Sequence, residues 1–224
     1  KFTDAGLGNL PAVAGRGAAF GDLNNDGLPD VVMTSNMGDN TVYLNKGNFK
    51  FQDITKGSGF RQDKMWSTGV VMVDINGDGW LDIYICNSGN MSNGNRRNKL
   101  YINNHDLTFT ESAAKYGLDI SAYSTQVSFF DYDGDGDLDC FVINNSPVPI
   151  NQLNFSNRRD LPDSTLKIAK NLKGGGDHLY RNDNGVFKEV TRAAGIHGGL
   201  ISFGLGVSVS DINNDGWPDI FVSN

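Results

Sequence analysis

The sequence predicts an all-β fold, a β-propeller segment of about three and a half four-stranded antiparallel blades. Three observations carry that expectation. Four segments of the chain align on one another. Each aligned segment sets two short β-branched and aromatic runs on either side of an aspartate-rich turn. Finally, 24 of the 26 acids are aspartates, beside 26 asparagines and 28 glycines, a composition that favours turns over long helices.

The aligned segments are GAAFGDLNNDGLPDVVMTSN from Gly17, GVVMVDINGDGWLDIYICNS from Gly69, QVSFFDYDGDGDLDCFVINN from Gln126 and GVSVSDINNDGWPDIFVSN from Gly206. Their first aspartates, Asp22, Asp74, Asp131 and Asp211, are spaced 52, 57 and 80 residues apart. The runs before each turn (AAFGD, VVMVD, VSFFD, VSVSD) read as first strands and those after it (VVM, IYI, CFV, IFV) as second strands. TVYLN, KLYIN and HLYRN supply third strands, and FQDIT, FTES and FKEVT supply fourth strands, joined by tight turns such as Asp183-Asn184-Gly185. Gly17, Gly69 and Gly206 lie where first strands crowd the central axis, a place for small residues. The units run over about 17–56, 69–114, 126–193 and 206–224 of one propeller segment, 1–224, and the fourth has only two strands. Lys1 to Asp4 read as the fourth strand of a preceding unit. An insertion over 147–176 widens the third spacing and carries a short helix from Asp163, a connection long enough to suggest function.

The turn itself points to a metal. Positions 1, 3, 5 and 9 are Asp or Asn in all 16 cases: Asp22, Asn24, Asp26 and Asp30; Asp74, Asn76, Asp78 and Asp82; Asp131, Asp133, Asp135 and Asp139; Asp211, Asn213, Asp215 and Asp219. Only oxygen is offered, which suits a hard cation such as Ca2+. Crowding three carboxylates into nine residues without a cation costs on the order of 1 kcal/mol per pair. Gly at position 6 permits the sharp turn, and the carbonyl of position 7 (Leu28, Trp80, Asp137, Trp217) is the natural backbone ligand. An EF-hand loop begins alike but needs an acid at position 12, where this chain has Met33, Ile85, Val142 and Val222. Four structural divalent ions would bring the net charge from -7 to +1.

Composition excludes other classes. No apolar run approaches a membrane span, and an acidic chain argues against nucleic acid as a partner. KFTDAGLG has no signal-sequence character, so a leader is expected to have been removed or to lie outside this stretch. Cys86 and Cys140 are too few for a disulfide framework and read as buried thiols. His105, His178 and His197 are scattered and read as surface residues, and no nucleophile motif or phosphate loop is present, so the chain reads as no enzyme.

The pattern D-x-[ND]-x-D-G-x-x-D between two strands resembles the FG-GAP/VCBS repeat of integrin α-subunit propellers. The added N-x-L-Y-x-N and F-x-[DE]-[VI]-T-x-x-[AS]-G segments are more similar still to the cartilage acidic protein and ASPIC/UnbV-associated family. The resemblance implies Ca2+ at each turn, a parent propeller of about seven blades, and an extracellular or cell-surface setting. After position 9 the integrin type has Gly-Ala-Pro, which this chain lacks, so integrin-like adhesion does not carry over with it.

Strand parity sets the metal turns at one end of every blade and the 2-to-3 and 4-to-1 connections at the other. The second end collects Arg96, Arg97, Arg158 and Arg159, with an aromatic eight residues before the turn in three units: Trp66, Tyr123 and Phe203. Basic pairs beside aromatics suit a protein or carbohydrate partner. The expected function is thus a calcium-stabilised binding or scaffold module. The alternative, a calcium-dependent polysaccharide lyase or hydrolase, needs a Lys, Arg or His cluster on that face.

Overall fold

The computed structural model describes residues 15–36, 38–60, 65–89, 96–146, 175–197 and 203–223. Among them, strands β1 (Gly15–Gly21), β2 (Asp30–Ser35), β3 (Thr41–Asn45) and β4 (Phe51–Asp53) form one antiparallel sheet in sequence order. The second sheet repeats it with β5 (Ser67–Val73), β6 (Asp82–Asn87), β7 (Lys99–Asn103) and β8 (Phe109–Glu111). The third uses β9 (Ser124–Phe130), β10 (Asp139–Asn144), β11 (His178–Asn182) and β12 (Phe187–Glu189), and the fourth pairs β13 (Gly206–Ser210) with β14 (Asp219–Ser223). Four sheets of 4, 4, 4 and 2 strands make a partial β-propeller, as the repeat predicts. The expected strand at Lys1 to Asp4, the helix from Asp163, Arg158 and Arg159 lie outside the described residues.

The second strands form the centre of each sheet. Every residue of β6 and β10 is buried, because a strand covered on both faces by neighbouring sheets reads as a continuous apolar run. Three apolar clusters fill the spaces between sheets. Leu23, Val32, Ile83 and Tyr101 join the first pair; Tyr84, Cys86, Cys140 and Phe187 join the second; Phe141, Ile143 and Leu179 back the fourth. Cys86 and Cys140 are buried free thiols, as expected, and burial holds Cys86 above the usual thiol range.

First strands meet at the axis. Each of β1, β5 and β9 shows a register shift near its start, between Gly15 and Ala18, between Ser67 and Val70, and opposite Ile143/Asn144. A bulge leaves backbone groups outside the ladder, and here hydroxyls of the neighbouring sheet take them up. Thr34 Oγ1 donates to Thr68 O (2.5 Å), Thr68 Oγ1 to Ser124 O (2.7 Å) and Thr125 Oγ1 to Gly204 O (3.0 Å). A Cβ on Gly69 would stand 2.6 Å from Thr125 O, so the axis accepts only glycine there.

The outer rim is fixed by a second glycine. Gly59 has φ +79°, its predecessor Ser58 accepts a hydrogen bond from Phe109 N (2.6 Å), and a Cβ on Gly59 would overlap the Phe109 carbonyl. Gly59→Ala is expected to cost about 3 kcal/mol by combining left-handed strain with overpacking. Gly57→Ala, at φ +95° with nothing within 4 Å of the added methyl, should cost about 1 kcal/mol. Urea denaturation of the two variants checks this; equal losses would show that the inter-sheet contact does not matter.

One element was not expected. After β8 the chain makes a single helical turn, α1 (Ala113–Tyr116), closed by Gly117 at φ +77° and burying Ala113 and Tyr116. The left-handed glycine ends it after one turn. No helix among the described residues is long and apolar enough to cross a membrane.

Candidate metal centre and the opposite face

The four turns share one geometry, built around the first aspartate. Asp22 Oδ1 and Oδ2 accept from Asp26 N (3.1 Å) and Gly27 N (2.7 Å). Asp74 takes Asp78 N (3.0 Å) and Gly79 N (2.8 Å), Asp131 takes Asp135 N (3.2 Å) and Gly136 N (3.0 Å), and Asp211 takes Asp215 N (3.1 Å) and Gly216 N (2.9 Å). The position-5 carboxylates receive the N–H of Leu28 (2.9 Å), Trp80 (2.9 Å), Asp137 (3.1 Å) and Trp217 (2.9 Å). Backbone donors thus curl each turn around its own acids.

Glycine at position 6 is left-handed in all four turns, at φ +84°, +85°, +94° and +89°. Position 4 is left-handed too, which the sequence reading missed: Asn25, Gly77, Gly134 and Asn214 all have positive φ. The signal was legible, since only Asn or Gly stands there and those residues tolerate that conformation best.

Position 9 does more than offer a last oxygen. Asp30, Asp82 and Asp139 are fully buried, and each receives one N–H from position 2 and one from the third strand. The pairs are Leu23 N (2.8 Å) and Asn45 N (2.8 Å), Ile75 N (3.2 Å) and Asn103 N (2.8 Å), and Tyr132 N (2.8 Å) and Asn182 N (2.8 Å). Those third-strand asparagines are the residues that sequence reasoning overlooked. Their side chains also donate to the turn's eighth carbonyl, at Pro29 (3.0 Å), Leu81 (3.1 Å) and Leu138 (3.2 Å). The closing Asn of the L-Y-x-N segment was the available signal. Asp219, in the two-stranded sheet, has Ile212 N (2.9 Å) from its own turn.

Whether these oxygens fit a cation is clearest in the third turn. In the other three, the Asn at position 3 donates its amide to the position-5 carboxylate: Asn24 to Asp26 (3.1 Å), Asn76 to Asp78 (2.8 Å) and Asn213 to Asp215 (3.0 Å). Asp133 has no proton to give, and its Oδ1 is buried without a hydrogen-bond partner, as is Asp137 Oδ1. Asp131, Asp133 and Asp139 place carboxylate oxygens within 4.8 Å of one another. Buried carboxylate oxygens without donors are costly unless a positive charge meets them. Burial first, then the neighbouring carboxylates, push Asp139 up to about 6, and Asp82 likewise, while hydrogen bonds from their two N–H donors oppose the rise.

His105 remains at the surface but packs on this end of the molecule. Its ring lies on Trp80 (4.7 Å between centroids, 17° between planes), with Nε2 3.0 Å from Asp78 Oδ2. The turns also touch around the rim, where Asn25 Nδ2 donates to Gly79 O (3.3 Å).

The opposite end holds the remaining sequence-predicted residues in two arrangements. Arg96 and Tyr123 are buried together, the guanidinium 4.2 Å from the ring centroid. Their cation–π contact joins two connections and withdraws both from solvent. Arg97 is exposed and paired with the Asp119 carboxylate. Trp66 is 38% exposed, and Phe203 bridges to Asn145.

Comparison with known proteins agrees with this architecture. The FG-GAP-like repeat model matches residues 3–85, 87–142 and 168–222. Cartilage acidic protein 1 of Xenopus tropicalis is 30% identical over 140 residues, 62% of this chain and 21% of that protein. Its Mus musculus counterpart is 28% identical over 131 residues, 58% of this chain and 20% of that protein. The chain therefore spans about a fifth of the length of these relatives. With most of its residues matched and its sheets following the same repeat, the chain belongs to the FG-GAP-like repeat family.

Proposed function

We propose that the chain is a calcium-stabilised binding module of a secreted or surface-anchored protein, presenting a protein or carbohydrate partner with the face opposite its metal turns. The observation that carries the metal reading is the third turn, where buried Asp133 and Asp137 oxygens have no donor. When bound, Ca2+ supplies the positive charge that lets these acids remain ionised. Asp22, Asp26 and Asp30 would hold it in the first turn, with Asn24 and the Leu28 carbonyl, and the equivalent residues would do so in the others. Sites of this kind bind at about 10⁻⁴ to 10⁻³ M in extracellular modules, which matches a setting outside the cell. A relative named for cartilage supports the same setting.

Binding rather than catalysis is favoured by the opposite face. A lyase or hydrolase needs a free basic cluster, whereas of the predicted arginines among the described residues Arg96 lies under Tyr123 and Arg97 pairs with Asp119. Calorimetric titration tests the metal reading. Uptake of about four Ca2+ per chain is expected, and Asp26→Ala, Asp78→Ala, Asp135→Ala or Asp215→Ala should each remove one. No uptake up to several millimolar would overturn it.

A further inference from the structure

At the end away from the metal turns, the first strands line a half-open cavity of about 590 Å³. Its walls come from the first three sheets and the residues leading into β13, and are stiff where Gly69 lies against the Thr125 carbonyl. Trp66 forms one side, its ring partly exposed, and is tied down where its carbonyl accepts from Ser88 N (2.9 Å). Asn145 is held in the same way, its N–H donating to Tyr123 O (2.9 Å). Asn145 Oδ1 is buried with no hydrogen-bond partner, and the Gln126 amide, also lining the cavity, makes no hydrogen bond among the described residues. No charged side chain lines the cavity among the described residues.

These groups define a ligand by exclusion and by fit. An ionic ligand would be desolvated here without a counter-charge. An extended peptide is read by alternating side-chain pockets along a sheet edge, whereas this wall offers one flat indole, amides and hydroxyls. A pyranose ring has an apolar C–H face that lies on an indole and a rim of hydroxyls that both donate and accept, as carboxamides do. We propose that this cavity binds a neutral oligosaccharide, with one sugar stacked on Trp66 and its hydroxyls bonded to Asn145 and Gln126. The proposal rests on the binding-module reading for its choice of face, and not on the metal.

Saturation-transfer NMR on the calcium-loaded protein tests it, with cellotetraose, chitotriose and mannotriose as probes and a heparin tetrasaccharide and an acidic peptide as comparators. At least one neutral probe should show saturation of its ring C–H protons with a Kd of about 1 mM or tighter. Trp66→Ala should abolish the signal, Trp66→Phe should retain it within about tenfold, and Asn145→Ala should weaken it about tenfold. Val186→Ala, at an exposed residue outside the cavity, should leave it unchanged. Circular dichroism of each variant confirms folding. Absence of saturation by all three neutral probes at about 10 mM, a signal that survives Trp66→Ala, or binding of the heparin fragment or peptide alone would overturn the inference. Calcium-dependent melting without sugar binding would remove this inference and leave the metal reading standing; sugar binding without calcium-dependent melting would do the reverse.

Discussion

Asp82→Ala is expected to destabilise the protein by about 3 kcal/mol even in chelator, and by more when calcium is present because a ligand is lost as well. Removing the carboxylate leaves Ile75 N and Asn103 N without acceptors in a buried site, and each orphaned donor costs about 1–3 kcal/mol. The third strand would then lose its tie to the turn. Asp78→Ala should behave differently, because that carboxylate is exposed and its principal partners are Trp80 N in its own turn and the surface residue His105. Its effect in chelator should stay within about 1 kcal/mol and grow only when calcium is supplied. Asp219→Ala, with one turn bond on a partly exposed acid, should fall between them. Urea unfolding in calcium and in chelator distinguishes the cases. Equal losses for Asp82→Ala and Asp78→Ala in chelator would mean that position 9 acts only as a ligand.

Chelation of the wild-type protein should produce the largest change. At about 1 mM calcium, a site of about 10⁻⁴ M contributes about 1.4 kcal/mol, and four such sites together contribute about 5–6 kcal/mol, comparable to a domain's whole stability. A fall in Tm of about 10–20 °C is expected for a chain of this size, read by circular dichroism in calcium against EGTA. The pH dependence should differ between the two buffers. Asp82 and Asp139 are raised to about 6, by burial first and by neighbouring carboxylates after it. A raised folded value means that the proton-bound form is the stabilised one, so the stability they contribute is present below about 4 and lost as pH rises through about 6. In EGTA the protein should therefore weaken between about pH 4 and 6. With calcium present that loss should vanish, and the gain from calcium should grow over the same interval. Identical melting in the two buffers at pH 7 would refute structural calcium.

The end opposite the aspartate turns differs from what its sequence suggested. Basic pairs beside aromatics read as one recognition surface, yet Arg96 and Tyr123 pack on each other in the interior, while Trp66, 38% exposed, borders the cavity. Sequence places residues at one end of a blade by counting strands. It does not say which side chains at that end have already found partners.

What the sequence determined by itself was everything that repeats at short range. Alternating strand patterns, Asp-Gly turns and a recurring oxygen register are local properties, so the sheets, their order and the candidate ligands such as Asp22, Asp26 and Asp30 were legible without coordinates. Only the tertiary structure decided what each buried polar group is bonded to. The third-strand Asn103 meets Asp82 across 21 residues, and Thr68 Oγ1 reaches Ser124 O across 56. Such pairings depend on which backbone groups the ladders leave open, at the bulges of the first strands and at the inner end of each turn. A buried donor or acceptor must be satisfied by whatever the fold brings within reach, and that reach is a property of packed sheets rather than of any one segment.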